Sequence, residues 1–147
     1  MDFMQKAYEL ALASERRGDV PVGAVITRNG KIIATGLNRR QKTRMATAHA
    51  EILAIEKACR RLKSWRLSDC EIYVSLEPCV MCAGAILNAR IAKLYIGCLA
   101  DNKKTGARGE ALGLFSENNL NWKTEVVIDE REELKTLIKE FFSKKRD

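Results

Sequence analysis

Cys79-Val80-Met81-Cys82 sets two thiols three residues apart, a spacing that lets both face one metal ion. His49, the only histidine of the chain, adds a third donor of a type that zinc accepts. Three protein donors, His49, Cys79 and Cys82, leave one of four tetrahedral positions open. An open position where water can be activated marks a catalytic rather than a structural zinc site. Glu51, two residues beyond the histidine, stands where a proton carrier would be needed. The combination weighs more than its parts, because Cys-x-x-Cys also occurs in redox motifs and zinc ribbons. A ribbon needs a second Cys or Cys/His pair at similar spacing, and the sequence has none. A thioredoxin-like redox site leaves His49 and Glu51 without a task. Cys59, Cys70 and Cys98 read as small buried hydrophobes.

These residues need elements to bring them together. Phe3, Ala7, Leu10, Ala11 and Ser14 recur at helical spacing until Gly18 stops the pattern. Two β-rich runs, 22–27 and 31–37, flank Arg28-Asn29-Gly30, and Asn-Gly between such runs signals an antiparallel hairpin. Residues 38–47 read as a basic loop carrying Arg39, Arg40, Lys42 and Arg44. Thr47 is the expected cap of a helix whose apolar residues run from Ala48 to Leu62, with His49 and Glu51 in its first turn. A strand over 70–76 follows, and the strand–helix–strand connection predicts parallel pairing with the one before. Pro78 ends that strand and suits a helix start, so 81–87 is expected to be helical. Residues 93–98 and 125–128 read as further strands, and 99–123 carry weak signals only. Asp129 with Glu132 resembles a capping box ahead of a last helix with the stripe Leu134, Leu137, Ile138, Phe141 and Phe142. The expected architecture is α/β, three-layer α/β/α, with a mixed sheet of about five strands and helices on both faces. Both metal-binding segments then begin helices at one sheet edge, where helix N-termini favour thiolates.

The length, 147 residues, fits one domain over 1–147 with a real core. At 46% hydrophobic and 31% charged residues, neither disorder nor a membrane span is indicated. No basic start followed by an apolar core opens the chain, and the odd cysteine count lacks the pattern of a disulfide framework, so a cytoplasmic protein is expected. Lys and Arg total 26 against 19 Asp and Glu, a net +7 that favours a polyanionic partner.

His-x-Glu followed by Pro-Cys-x-x-Cys is the signature of zinc-dependent nucleobase deaminases. The chain resembles the bacterial tRNA adenosine deaminases over nearly its whole length: Val20-Pro21-Val22-Gly23-Ala24-Val25, Gly36-Leu37-Asn38, Thr47-Ala48-His49-Ala50-Glu51, Trp65-Arg66-Leu67, Leu76-Glu77-Pro78-Cys79-Val80-Met81-Cys82 and Phe141-Phe142 carry the likeness. Leu-Glu-Pro-Cys-Val-Met-Cys points to this branch rather than to guanine deaminases, which tend to carry Cys-Glu-Pro-Cys-Pro-Met-Cys. The resemblance implies a cytidine-deaminase-like fold and one zinc ion per subunit on His49, Cys79 and Cys82. It implies Glu51 as the proton shuttle and the tRNA anticodon stem-loop as substrate, with adenosine becoming inosine at the wobble position. It also implies Asn38 and Arg146 as substrate contacts and a homodimer joined through the helix around Ala83, Gly84 and Ala85. Two stretches depart from the family pattern: Met45-Ala46, where Asp-Pro is common, and a longer 100–110 segment with Arg108 and Glu110. The alternatives are a deaminase of a free base or nucleoside, such as guanine or cytidine, and a non-catalytic zinc and RNA-binding subunit. The first has little need of net positive charge, and the second would be expected to lose Glu51.

Overall fold

The computed structural model describes residues 1–100, 110–117 and 122–145. In chain order the elements are α1 (Phe3–Arg16), β1 (Gly23–Arg28), β2 (Lys31–Leu37), α2 (Arg40–Thr43), α3 (Ala50–Leu62), β3 (Cys70–Val74), α4 (Val80–Asn88), β4 (Lys93–Ile96), α5 (Glu110–Glu117), β5 (Glu125–Ile128) and α6 (Glu132–Lys145). Arg146 and Arg108 lie outside the described residues, as does most of the 100–110 departure.

One mixed sheet runs in the order β2-β1-β3-β4-β5. β1 is antiparallel to both its neighbours, and β3, β4 and β5 are parallel. The hairpin forms as expected, with Asn29 at φ 52° and Gly30 at φ 73°, the left-handed pair that a two-residue turn of matching twist requires. The parallel pairing expected between β2 and β3 does not form. Both run the same way, but the chain crosses over through α3 and leaves β1 hydrogen-bonded between them.

The hairpin register sets opposite faces to opposite helices. Gly23 pairs with Leu37 and Ala24 with Gly36, so the two glycines point to different sides. A Cβ on Gly23 would run into the Ala7 carbonyl oxygen of α1, and one on Gly36 into the Ala50 carbonyl oxygen of α3. Gly97 plays the same part for Met4 of α1 and Leu134 of α6. Helices therefore cover both faces, as the three-layer reading predicts. Val25, Ile26, Ile72, Val74, Leu94 and Ile96 are buried between them. β2 is an edge strand, and α3 screens it: Lys57 Nζ donates to Thr35 O at 3.1 Å and Arg61 Nη1 to Ile33 O at 3.0 Å, occupying carbonyls that would otherwise invite another strand.

Three local expectations are corrected. Residues 40–43 form the short helix α2 inside the basic stretch, stabilised from outside that stretch. α3 begins at Ala50 with His49, not Thr47, at its N-cap in extended backbone (φ −82°, ψ 152°), so the imidazole leaves the helix axis. α6 begins at Glu132, later than a box on Asp129 requires, and the Asp129 carboxylate instead accepts from Arg131 Nη2 at 2.9 Å. α5 lies in the stretch that carried weak signals only.

Close packing at Gly36 predicts that Gly36→Ala lowers the urea midpoint by an amount worth about 1–3 kcal/mol or more. Gly113→Ala in α5, with nothing within 4 Å of the new methyl, should raise it by up to about 1 kcal/mol. Equal midpoints for the two variants would show that α3 does not press on β2 as described.

Candidate metal centre and active site

The chain places its metal-ligand residue types at the starts of two helices that reach the same sheet edge. β2 ends at Leu37 and, after α2, the chain enters α3 through His49. β3 ends at Val74 and the chain enters α4 through Cys79, its N-cap residue, with Cys82 in the first helical turn. Sites at the carboxyl ends of strands, where helices begin, are the common placement in open α/β sheets. Two backbone bonds fix the approach: Glu77 N donates to Cys98 O at 2.8 Å and Ser75 N to Gly23 O at 3.0 Å.

His49, Cys79 and Cys82 come together as the sequence predicts. His49 Nδ1 lies 3.6 Å from Cys79 Sγ and 3.5 Å from Cys82 Sγ, and the three donor atoms fall within 4.8 Å of one another. Among the described residues this is the one such grouping. A tetrahedral ion with Zn–N near 2.05 Å and Zn–S near 2.3 Å would separate a nitrogen and a sulfur ligand by about 3.6 Å. The donor set therefore fits zinc in chemistry and in spacing. Cys70 and Cys98 are buried and Cys59 half-buried, away from this cluster, as their hydrophobic reading requires.

The electrostatics of the protein groups favour a thiolate at one cysteine. A hydrogen bond from Cys82, together with one from His49, holds the Cys79 thiol down to about 4 against the opposing effect of burial. The same Cys79–Cys82 hydrogen bond and burial push Cys82 upward, so a metal bound here would displace this thiol's proton to solvent or a nearby base. His49 is raised, chiefly by its hydrogen bond with Cys79. Glu51, 3% exposed, is pushed up to about 7 by burial first of all, with the negative Cys79 adding to the shift and His49 opposing it.

These residues open on a cavity of about 220 Å³ whose lining includes Val20, Val22, Asn38, Arg40, His49, Glu51, Leu76, Glu77, Cys79 and Phe142. That is below the roughly 300–1,000 Å³ of sites for drug-sized ligands and suits a single base. Asn38 is buried, and its Oδ1 accepts the Arg40 N–H at 3.1 Å, which leaves its amide N–H groups to serve a ligand. Phe142 had been read as part of a core stripe. Phe141 is buried, and the half-buried Phe142 packs against the core as the stripe predicts and also lines the cavity. Glu77, singled out by sequence only as part of a matched motif, is buried; its Oε1 accepts the Ala100 N–H at 3.0 Å, and among the described residues its Oε2 has no partner. Only its place beside Pro78 and Cys79 could have drawn attention to it.

Comparison with known proteins agrees with this geometry. Residues 1–98 match the cytidine and deoxycytidylate deaminase zinc-binding region, which takes in His49, Glu51, Cys79 and Cys82. The tRNA-specific adenosine deaminase of Aquifex aeolicus is 39% identical over 145 residues, covering 99% of this chain and 95% of the relative. That of Bacillus subtilis is 42% identical over 125 residues, covering 85% and 76%. A solved tRNA:A34 deaminase, studied for A-to-I editing at the wobble position, superposes with a TM-score of 0.76 at 38% identity, covering 86% of this chain and 95% of its own. A guanine deaminase from Nitrosomonas europaea superposes with a TM-score of 0.82 at 28% identity, covering 95% and 82%. The chain belongs to the zinc-binding cytidine and deoxycytidylate deaminase family, in the group of the tRNA-specific adenosine deaminases.

Proposed function

We propose that this chain, as a single deaminase domain, hydrolytically deaminates adenosine to inosine at the wobble position of tRNA anticodons. The observation that carries the proposal is its 39% identity to a tRNA-specific adenosine deaminase along 99% of the chain. Shape does not separate this reading from free-base deamination, since a guanine deaminase superposes at least as well. The net charge of +7 and the cations at 39–44, beside a cavity of single-base size, favour a polyanionic substrate that offers one base.

His49, Cys79 and Cys82 would hold the zinc ion, which supplies a Lewis acid that makes water a nucleophile at neutral pH. Glu51 does the proton work. Its buried carboxylate takes a proton from the attacking water, delivers it to a ring nitrogen of adenine and assists the departure of the amino group, so that adenosine and water become inosine and ammonia. Burial suits the task, because desolvation raises the carboxyl above its ordinary range and so makes it a better proton acceptor. Asn38 offers its amide to the flipped nucleoside, and Val22, Leu76 and Phe142 supply apolar walls that exclude competing water. Arg146 is proposed as a further RNA contact. A homodimer joined at α4 belongs to the same proposal. It is supported by the exposed apolar Val80 and Met81 and by Gly84, whose surroundings are open.

Zinc-loaded protein incubated with a wobble-adenosine stem-loop, and in parallel with adenosine, guanine and cytidine, should form inosine from the stem-loop alone. Conversion only of a free base or nucleoside would move the function to small-molecule salvage. Glu51→Gln should lower kcat by about 10²–10⁴ with one zinc retained per chain, and undiminished turnover would remove Glu51 from its role. Cys82→Ala should lose both zinc, measured by atomic absorption, and activity. In chelator-stripped protein, Glu51→Gln should gain stability over wild type as pH rises from 4.5 through about 7. The native carboxyl holds its proton longer than the unfolded one, so wild type loses stability across that window. A pH-independent difference in thermal midpoint would contradict the buried state of Glu51.

A further inference from the structure

Two buried polar side chains that touch nothing in the cavity tie its neighbouring walls together. Asp19, 1% exposed, lies in the turn between α1 and β1. Its Oδ2 accepts the Gln41 N–H at 3.0 Å and the Lys42 N–H at 3.4 Å. These are first-turn amides of α2, which a helix leaves without internal partners. Arg39, which occupies the N-cap of α2, makes no capping bond with its side chain. A carboxylate from a distant turn thus caps a four-residue helix that is too short to hold itself. Ser14, fully buried in α1, reinforces the link: its Oγ lies 2.9 Å from Val20 O and 2.8 Å from Asn38 O, and one hydroxyl proton serves both carbonyls. Val20, Asn38 and Arg40 all line the cavity.

We infer that Asp19, assisted by Ser14, is a positioning residue for substrate binding: it fixes α2, and through it Asn38 and Arg40, without contacting substrate. Segment 39–44 carries four cations and no acidic residue. Besides Asp19, its backbone is held by Asn38 Oδ1, which accepts the Arg40 N–H, and by the Arg39 N–H donating to Ala48 O at 3.0 Å, while the helix buries no residue of its own. Among the described residues, Asp19 is the side chain that bonds the Gln41 and Lys42 amides of this basic stretch to the turn after α1. A buried carboxylate is costly without hydrogen-bond partners, so the partners it has chosen, backbone amides of a substrate-facing segment, indicate what it is for.

The kinetic part of the test rests on the proposed tRNA reaction, and the amide-exchange part does not. Asp19→Ala should speed hydrogen exchange at the Gln41 and Lys42 amides, leave zinc at one per chain, raise KM for the stem-loop about tenfold and change kcat little. Arg40→Ala should also raise KM, and the double variant should add little to the larger single effect, because both act through one element. Asp19→Asn, which keeps one acceptor oxygen, should fall between wild type and Asp19→Ala and serves if the alanine variant does not fold. Unchanged exchange at residues 41 and 42, an unchanged KM, or effects that multiply in the double variant would each overturn the assignment. A wild-type protein that forms no inosine would overturn the substrate reading instead, and the exchange result would still decide the role of Asp19.

Discussion

The structure depends on the meeting of two helix starts. His49 and Cys79 are N-cap residues of α3 and α4, on different crossovers, and the imidazole and thiol meet at 3.6 Å. For this to happen α3 must lie close enough on β2 to bring its first residue to the sheet edge, and Gly36 permits that approach. β3 ends at Val74, and residues 75–79 carry the chain to α4, with Pro78 in extended-favouring backbone directly ahead of the N-cap Cys79. A shift of one turn in either helix is about 5.4 Å, more than the whole span of the donor cluster.

The same arrangement explains the division of labour among acidic groups. Glu51 lies one position inside α3, buried beside the donors, and desolvation moves its carboxyl toward neutrality. Asp19 and Glu77 are just as buried but accept backbone amides, Asp19 those of Gln41 and Lys42 and Glu77 through Oε1 that of Ala100, so each ties a chain segment in place. Environment assigns different work to three carboxylates within one small region.

Sequence patterns expose what repeats and hide what is made by tertiary contact. His49, Glu51, Cys79 and Cys82 were legible because metal chemistry restricts residue type and spacing, and the Asn29-Gly30 hairpin because few residues accept its dihedrals. The position of β1 between β2 and β3 was not, since a crossover fixes strand direction but not which neighbour intervenes. α2 escaped notice because its four polar residues, Arg40 to Thr43, have no apolar rhythm; its cap comes from Asp19, twenty-two residues before Gln41. Phe142 keeps its place in the stripe against the core, but helical spacing could not show that its ring also lines the cavity. Asn38 was visible only through family likeness, and the geometry adds the Arg40 amide that orients it.

The central claim is that one imidazole and two thiolates, drawn from two helix starts, hold a single zinc with a position left for water. X-ray absorption at the zinc edge of the purified protein reads this directly. The account predicts two sulfur scatterers near 2.3 Å and two nitrogen or oxygen scatterers at about 2.0–2.1 Å. A shell of three or four sulfurs would bring in another cysteine and contradict the geometry, and with it the assignment of a catalytic rather than structural site.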